Sequence, residues 1–442
     1  MSDSVARILH FSSPEPLGTL RIKEPGAAEW LPLTQPAMGD VAVAIDAEVA
    51  LDVLPLNVRS STVRHLDGLD SLGPDDLAAL TLAGCELCEE DVETLRHLTG
   101  LRHLNLGMSN VTGTWLERLD CLTQLEELSL KATKIDDAAL RNVALWPRLR
   151  HLNLSRTKIT GGGLAALSAA QDIWSLFLDR TMLEDRELLH LQNLPRLERL
   201  HLNDTPIGDR GLALLAGCTK LIEVELSRSA ITNITDKMVG GLQKLKRLQV
   251  GDTRLTGGSI SILANLQSLE ELGLSVTMTD DAAIADLAPL RSLRKLEIGK
   301  TCVTGRGLAY LRPLLMLQDL DWGSNRQIIT SEAAFSVGFS ALTYLCVDYT
   351  PLQPEDFRDV SRVPLLRRLE ASKTNLSDPG LRYLSESTSL RTLLAIGTNV
   401  TDEGILQLQN TNLEWLSVGR TQVTEAGAQA LRRALPTCIV ML

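Results

Sequence analysis

The sequence predicts an α/β solenoid, in which one short strand–turn–helix unit repeats along most of the chain behind a small β-rich cap. A leucine pattern recurs with an almost constant period along the 442 residues. Within each unit, apolar residues alternate at period two before a turn, which is typical of a half-buried strand. Aromatic residues are scarce, with 6 Trp, 4 Tyr and 5 Phe, so leucine must fill the core. A fixed period of this length means that each unit buries its apolar side only against its neighbours.

The pattern Leu-x-x-Leu-x-Leu begins fifteen units, spaced by 24 residues except for 25 after Leu317 and 23 after Leu390. The units start at Leu77, Leu101, Leu125, Leu149, Ile173, Leu197, Leu221, Leu245, Leu269, Leu293, Leu317, Leu342, Leu366, Leu390 and Leu413. The best-preserved stretch reads Leu149-Arg-His-Leu-Asn-Leu-Ser-Arg-Thr-Lys-Ile-Thr-Gly-Gly-Gly-Leu164. This motif resembles the leucine-rich repeat family, in particular bacterial cytoplasmic members with repeats of similar length. The resemblance implies a curved, right-handed α/β horseshoe with a parallel sheet on its concave side.

The positions of one unit have separate structural roles. Positions 1, 4 and 6, such as Leu197, Leu200 and Leu202, are predicted to point into the core. Position 9 is almost always Thr or Ser, which we interpret as a ladder of hydroxyls that bond backbone groups of the turn. A turn rich in Gly and Asp and a short helix follow. Gly161–Gly163 is interpreted as such a turn and not as a phosphate-binding loop.

The two ends of the chain depart from the repeat. Residues 1–70 contain the short apolar runs Val5–Phe11, Gly18–Ile22 and Val41–Ile45. They predict a β-rich N-terminal cap that covers the first exposed strand edge. Residues 71–442 are predicted to form the solenoid of about fifteen repeats, which ends in a closing strand within 435–442.

Charge and composition exclude several classes of function. The chain has 44 Lys+Arg against 55 Asp+Glu, a net charge of −11, which argues against a nucleic-acid partner. No apolar run approaches the roughly 18 residues of a membrane span, and the N-terminus lacks the pattern of a secretion signal. The 7 cysteines suggest no disulfide framework. We therefore expect a cytoplasmic protein without membrane contact.

The motifs that often carry chemistry have structural explanations here. Cys85 and Cys88 form a Cys-x-x-Cys, but Cys85 occupies the position 9 of its unit. His103 and His151 share position 3 two units apart, a separation of about 9–10 Å that suits zinc poorly. A hydrolase built on His201 with Asp179 or Asp204 remains a remote alternative. We expect no catalysis, cofactor, metal or small-molecule substrate.

The predicted concave face is nearly neutral. Positions 2, 3, 5, 7 and 8 of the units from Leu101 onward hold 17 Lys or Arg and 16 Asp or Glu. Charges alternate in sign at position 3 of six successive units, where neighbouring strands would bring them into ion pairs. These residues are Arg199, Glu223, Arg247, Glu271, Lys295 and Asp319.

Aromatic residues on this face mark the candidate binding sites. Trp174 and Phe177 share one unit, and position 8 of that unit and of the one before it holds Arg. Large aromatics beside Arg are typical of protein-binding hot spots. The candidate protein-binding residues are Arg156, Trp174, Phe177, Arg180, His201, Tyr344 and Tyr349. Trp415 is also predicted on this face and Trp322 in the core. The alternative is that the rings only pack on neighbouring strands.

The sequence therefore predicts a non-catalytic scaffold that binds a partner protein on its concave face. A second hypothesis is a substrate-recognition subunit or secreted effector that acts within an enzyme complex such as a ubiquitin ligase. That role would need an adaptor-binding helix pair or a translocation signal, whereas residues 1–70 are predicted to be β-rich.

Overall fold

The computed structural model describes residues 6–11, 17–44, 47–53, 66–326, 335 and 338–442. The chain divides into two compact units, residues 1–221 and 222–442. Both are built from short parallel strands connected through helices and turns. This is the predicted leucine-rich repeat architecture, and each repeat strand occupies positions 3 to 5 of its unit.

The first unit contains eleven strands and four α-helices within its described residues. The strands are β1 Ala6–Phe11, β2 Gly18–Lys23, β3 Leu31–Pro36, β4 Gly39–Ala44, β5 Glu48–Val53, β6 Ala79–Thr81, β7 His103–Asn105, β8 Glu127–Ser129, β9 His151–Asn153, β10 Ser175–Phe177 and β11 Arg199–His201. The α-helices are α1 Asp91–His97, α2 Gly113–Glu117, α3 Gly161–Ala166 and α4 Asp209–Leu215. Short 3-10 helices cover Asp67–Leu69, Ala139–Leu145, Leu167–Ala169 and Asp185–Asn193.

The second unit contains ten strands and eight α-helices within its described residues. The strands are β12 Glu223–Glu225, β13 Arg247–Gln249, β14 Glu271–Gly273, β15 Lys295–Glu297, β16 Asp319–Asp321, β17 Tyr344–Cys346, β18 Arg368–Glu370, β19 Thr392–Leu394, β20 Trp415–Ser417 and β21 Ile439–Met441. The α-helices are α5 Asp236–Gly240, α6 Gly257–Ser261, α7 Asp281–Asp286, α8 Gly305–Ala309, α9 Phe357–Ser361, α10 Asp378–Leu384, α11 Asp402–Leu406 and α12 Glu425–Ala434. The 3-10 helices are Ile262–Asn265, Pro354–Asp356 and Gln407–Asn410.

The strands pair in parallel with the strand one repeat away. Position 4 is the buried centre of each strand, and Leu152 pairs with Leu176, which in turn pairs with Leu200. These three leucines are at most 1% exposed. Positions 3 and 5 point the other way, because successive side chains of a strand alternate. We call the surface formed by positions 3 and 5, together with the position 2 residue that precedes each strand, the strand face.

The first strands belong to the predicted cap region. β1 pairs antiparallel with β4, and β2 pairs antiparallel with both β3 and β5. β5 then pairs in parallel with β6, with Leu51 opposite Leu80. Both leucines are buried. The region before the first repeat therefore supplies the strand on which the parallel ladder begins. At the other end, β21 pairs in parallel with β20.

Position 8 of every repeat has a left-handed backbone. The φ values of its non-glycine residues range from 53° at Lys300 to 62° at Ser324, and Gly84 and Gly397 take the same region. This conformation points the amide N–H at the position 7 carbonyl of the next repeat, as in Met108 to Lys131 at 2.7 Å. The ladder of hydrogen bonds thus continues beyond the strand, which keeps the turns of successive repeats in register.

The hydroxyls at position 9 have the predicted role. Thr133 Oγ1 donates to the carbonyl oxygen of Leu130 at 2.6 Å, and Thr253 makes the equivalent bond to Val250 at 2.7 Å. Asn325 fills this position in its repeat, and its amide donates to the carbonyls of Ile298 and Trp322. Trp322 is fully buried, as predicted. The lengthened turn predicted at Asn325–Ile328 extends beyond the described residues.

Gly161–Gly163 does not form the predicted turn, because these residues are the first three of α3. The reason lies in the preceding repeat. A Cβ on Gly163 would lie 2.7 Å from Asp137 Oδ1, and a Cβ on Gly162 would lie 2.8 Å from Asp137 Oδ2. Asp137 accepts hydrogen bonds from both the amide and the hydroxyl of Thr160, which precedes the helix. The glycines make room for a carboxylate that links two repeats.

Candidate functional site

The predicted aromatic pair lies on the strand face of residues 1–221. Phe177 ends β10, and Trp174 directly precedes that strand. Both side chains are half-buried. The strand geometry leaves them on the side opposite the leucine core, where polar residues otherwise predominate.

Each ring contacts a histidine on a neighbouring strand. The ring of Trp174 meets that of His151 edge to face, with centroids 4.2 Å apart. Phe177 meets His201 in the same geometry at 4.3 Å. The guanidinium of Arg199 lies over the Trp174 ring, 5.9 Å from its centroid, within cation–π range. The two rings are therefore held in place by neighbours while part of each stays accessible.

The two predicted arginines are less directly involved. Arg156 and Arg180 both occupy position 8 and are exposed, with φ values of 59° and 55°. Arg180 Nε is 2.7 Å from Asp204 Oδ2, so this guanidinium is paired along the turns. The cation that contacts Trp174 is Arg199, a position 3 residue. The sequence pattern predicts Arg199 only as a member of the charge ladder, because spacing does not reveal which way a long side chain turns.

A carboxylate that sequence analysis did not single out lies between two histidines. Glu127 Oε2 is 3.0 Å from His103 Nδ1, and its Oε1 is 3.9 Å from His151 Nε2. The hydrogen bond from His103 lowers the pKa of Glu127. Burial lowers the pKa of His151, and the nearby Glu127 charge only partly opposes this. Position 3 of three successive units is His103, Glu127 and His151. The order of these residues places the carboxylate between the two histidines, but the sequence analysis considers the histidines only as possible metal ligands.

These side chains line an open groove of about 520 Å³ beside the first strands. On the strand face it is bordered by His103, Glu127, His151 and Phe177. On the side of the cap region it is bordered by Arg21, Lys23 and Trp30. The polar side chains of Asn105, Ser129 and Asn153 form its floor with the strand backbone. We call this space the N-terminal groove. It combines four aromatic or imidazole rings with hydrogen-bonding groups.

The second predicted patch lies in residues 222–442. Tyr344 begins β17 and is half-buried, whereas Tyr349 follows the strand at position 8 and is 52% exposed. Burial raises the pKa of the Tyr344 phenol. Trp415 begins β20 and is 38% exposed on the strand face, as predicted. This unit therefore also presents aromatic surface, but it is spread over several strands.

The predicted charge ladder forms only in part. Arg247 bridges its two neighbours, at 3.1 Å from Glu223 Oε2 and 2.7 Å from Glu271 Oε1. These bonds raise the pKa of Arg247. Lys295 instead pairs with Glu297 of its own strand at 2.7 Å. Residues two apart on one strand share a face, so a long lysine reaches its own strand as easily as the next.

The other candidate chemistry does not gain support. Cys85 is buried, and burial raises the pKa of the Cys88 thiol, opposite to what a reactive cysteine needs. Asp179 accepts a hydrogen bond from the amide of Asn203, and Asp204 pairs with Arg180. Both carboxylates proposed for the remote hydrolase alternative thus have structural partners. No helix in the described ranges is long and apolar enough to cross a lipid bilayer.

Comparisons with known proteins agree with the repeat architecture. A family model described as "Leucine Rich repeat" matches residues 148–168 and 194–216. An internalin (inlF) from Listeria monocytogenes is 22% identical, with a TM-score of 0.57, over 80% of this chain and 94% of that one. A leucine-rich repeat protein from Leptospira interrogans is 18% identical, with a TM-score of 0.59, over 84% and 96% of the two chains. The chain is a leucine-rich repeat protein.

A third similar structure is that of a complex between TLR13 and ssRNA13. It is 17% identical with a TM-score of 0.55, over 89% of this chain and 65% of that one. No match was found among curated protein sequences. At these identities the structural similarity shows the fold alone, so function must be argued from the site.

Proposed function

We propose that the chain is a non-catalytic scaffold that binds a partner protein on the strand face of residues 1–221, in and beside the N-terminal groove. One observation carries the proposal: Trp174 and Phe177 stand half-exposed on a face that is otherwise polar. Repeat proteins of this kind use the extended face of their sheet for binding. The strand face is the counterpart of the predicted concave surface.

The geometry of the two rings favours a binding role over simple packing. Aromatic residues next to Arg dominate the energetics of many protein interfaces. Trp174 and Phe177 are already fixed by His151, His201 and Arg199, so little side-chain entropy would be lost on binding. A partner that covers the exposed part of each ring would gain apolar burial at about 25 cal/mol per Å².

The class of partner follows from charge. The net charge of −11 disfavours nucleic acid, although one similar fold is known with ssRNA. The N-terminal groove offers amides, imidazoles and Lys23 to a polypeptide backbone and its side chains.

We place the protein in the cytoplasm and assign residues 1–70 to a cap and 71–442 to the solenoid. Tyr344 and Tyr349 are proposed as a secondary contact surface.

The alternative role, recognition within an enzyme complex, uses the same binding face. It differs in requiring a docking element for a ligase adaptor, which sequence analysis sought in residues 1–70. In the described part of that segment the extended elements are strands β1 to β5, not a helix pair. This favours the scaffold over the adaptor-bound subunit.

The test compares three forms of the full-length protein in a cross-linked pull-down from a lysate of the source organism. The double variant Trp174→Ala, Phe177→Ala should lose a specific protein that the wild type captures. Trp415→Ala is the matched control, because it removes an aromatic of the same face in the other compact unit. If the double variant and the control retain the same proteins as the wild type, the rings serve packing and the proposal fails.

A further inference from the structure

A group of potential metal ligands lies on the second compact unit, on the strand that Tyr344 begins and on the strand that follows it. One ligand atom each from Cys346, Asp348 and Glu370 lies within 4.8 Å of the others. Cys346 ends β17 and Glu370 ends β18, and the two residues are directly paired in the parallel register. Asp348 follows two residues after Cys346. The repeat geometry therefore fixes the spacing of all three.

The thiol is the least ordinary member of this group. Cys346 is 8% exposed, although it occupies a strand-face position that is only half-buried in most repeats. Within the described part of the chain, the thiol proton of Cys346 has no oxygen acceptor.

The carboxylates around the thiol are held by hydrogen bonds from outside the group. Asp348 Oδ1 accepts the amide N–H of Ser372 at 2.5 Å. Glu370 Oε1 accepts two N–H groups of Arg368, at 2.9 and 2.6 Å. Such contacts orient metal-binding carboxylates in known sites. Asp348 Oδ1 keeps a second lone pair, whereas Arg368 occupies both lone pairs of Glu370 Oε1 and leaves Oε2 as the ligand atom of that residue.

The local field favours a cation. Asp321 lies on the other side of Cys346 in the strand register. The carboxylates of Asp321, Asp348 and Glu370 therefore surround the buried thiol of Cys346. Among the residues that the structure describes, these carboxylates outnumber the one cation that pairs with them, Arg368.

A glycine leaves space beside the sulfur. A Cβ on Gly323 would lie 3.1 Å from Cys346 Sγ and 3.2 Å from Asp321 Oδ1. Both contacts are tighter than an ordinary van der Waals approach. The absence of a side chain at position 323 therefore keeps the approach to the thiol and the Asp321 carboxylate open.

We propose that Cys346, Asp348 and Glu370 bind one Zn²⁺ ion, with Asp321 or water as the fourth ligand. A mixed set of one sulfur and several carboxylate oxygens suits Zn²⁺, whereas Mg²⁺ and Ca²⁺ take oxygen ligands only. Zn–S and Zn–O bonds of about 2.3 and 2.0 Å need ligand atoms roughly 3.5 Å apart, so small side-chain rotations suffice. On binding, the S–H bond breaks, a Zn–S bond forms and the proton leaves to solvent.

The test uses Co²⁺ as a spectroscopic substitute on the full-length protein. One equivalent should produce a thiolate-to-cobalt charge-transfer absorption that Zn²⁺ removes by competition. Cys346→Ser should abolish this absorption, and Cys302→Ser is the control because Cys302 lies outside the group. An unchanged absorption in Cys346→Ser, or none in the wild type, would overturn the proposal.

Two further variants keep the test decisive if Cys346→Ser folds poorly. Asp348→Asn and Glu370→Gln leave the thiol in place and should weaken Zn²⁺ binding, measured by competition with a chelator, by at least about tenfold. Circular dichroism establishes that each variant is folded. Wild-type affinity in both folded variants would show that any metal bound is an adventitious ion only.

Discussion

The residue at position 8 of each repeat is held in the left-handed region although it is glycine only at Gly84 and Gly397. For an ordinary residue this conformation costs roughly 1–2 kcal/mol. The hydrogen bond to the next repeat offsets part of that cost, and it is the reason that the conformation recurs. Val276 is the least suited of these residues, because its branched Cβ is the most crowded at positive φ.

Replacing Val276 with Asn should stabilise the protein. Asn tolerates the left-handed region, and Val276 is 41% exposed, so little apolar burial is lost. We expect the free energy of unfolding to rise by about 1 kcal/mol in urea denaturation. Met278→Asn is the control: Met278 is 60% exposed and has no left-handed φ. A Val276→Asn variant that unfolds at the same or lower urea concentration would contradict this explanation.

Glu127 governs the protonation of the histidine beside the aromatic pair. Burial lowers the pKa of His151, and the Glu127 carboxylate acts in the opposite direction. Glu127→Gln removes that charge, so the pKa of His151 should fall further below its ordinary value of 6.5. The measurement is an NMR titration of the imidazole.

Glu126→Gln is the matched control for this titration. Glu126 pairs with Arg150 at 3.1 Å, so the neutral variant should leave the His151 titration close to that of the wild type. A His151 pKa that rises, or does not move, in Glu127→Gln would show that this carboxylate does not act on the imidazole.

At the scale of the element, the helices of successive repeats are linked by an Asp and a Gly. Asp378 Oδ1 accepts the amide N–H of Thr401 at 2.9 Å, and its Oδ2 accepts the Thr401 hydroxyl at 2.7 Å. Thr401 is the N-cap residue of α11 in the following repeat. Gly404 of that helix faces the same carboxylate, and a Cβ there would overlap Asp378 Oδ1. The pairing recurs with Asp402 and Gly427.

Gly404→Ala should therefore destabilise the protein although alanine is the better helix former. The methyl group would displace the Asp378 carboxylate from Thr401, and the loss of charged hydrogen bonds costs about 1.5–3 kcal/mol. Gly240→Ala is the control, because nothing lies within 4 Å of a Cβ at that helical position. That variant should gain up to about 1 kcal/mol. If Gly404→Ala and Gly240→Ala shift the urea midpoint in the same direction, the link between Asp378 and Gly404 does not stabilise the protein.

The elements that the sequence predicts best are the strands. Their period of 24 residues and the buried leucine at position 4 allow only one register of strand pairing. Leu152, Leu176 and Leu200 pair in that register. The helix side was predicted less well. Gly161–Gly163 is predicted as a turn because other units have Asp or Gly at the same place, and only the neighbouring Asp137 explains why glycine is required there.

At the site, sequence analysis found the rings but not all their partners. Trp174 and Phe177 were identifiable because aromatics are rare in this chain. Arg199 and Glu127 were not linked to them, since contacts between strands depend on how flexible side chains turn. The contribution of Trp30 was not predictable either, because nothing in the repeat pattern fixes how a region outside it packs.

At the scale of the whole molecule, each repeat is stabilised by its neighbours and not by itself. The stability of such a stack is approximately the sum of repeat and interface terms, and its ends need protection. β5 covers the edge of β6, and Leu51 and Leu80 are both buried there. The antiparallel strands before β5 have no counterpart in the repeat pattern, which explains why the period of the sequence stops near residue 70.

Deletion of residues 1–70 should expose the edge of β6 and part of the leucine core. Unpaired strand edges promote aggregation, so we expect a truncated chain that aggregates or loses cooperative thermal unfolding. Light scattering and circular dichroism measure the two effects. A soluble truncated protein with an unchanged melt would show that residues 1–70 are not a cap.

The most direct test of the binding proposal is a contact measurement at Phe177. A photoreactive phenylalanine analogue is placed at position 177 or, in a second protein, at position 415, and each is irradiated in lysate of the source organism. The analogue at position 177 should form a covalent adduct with one specific protein, and Trp174→Ala should lower the yield of that adduct. The analogue at position 415 should not form the same adduct. Adducts of equal yield at both positions, or none at position 177, would contradict the assignment of the binding face.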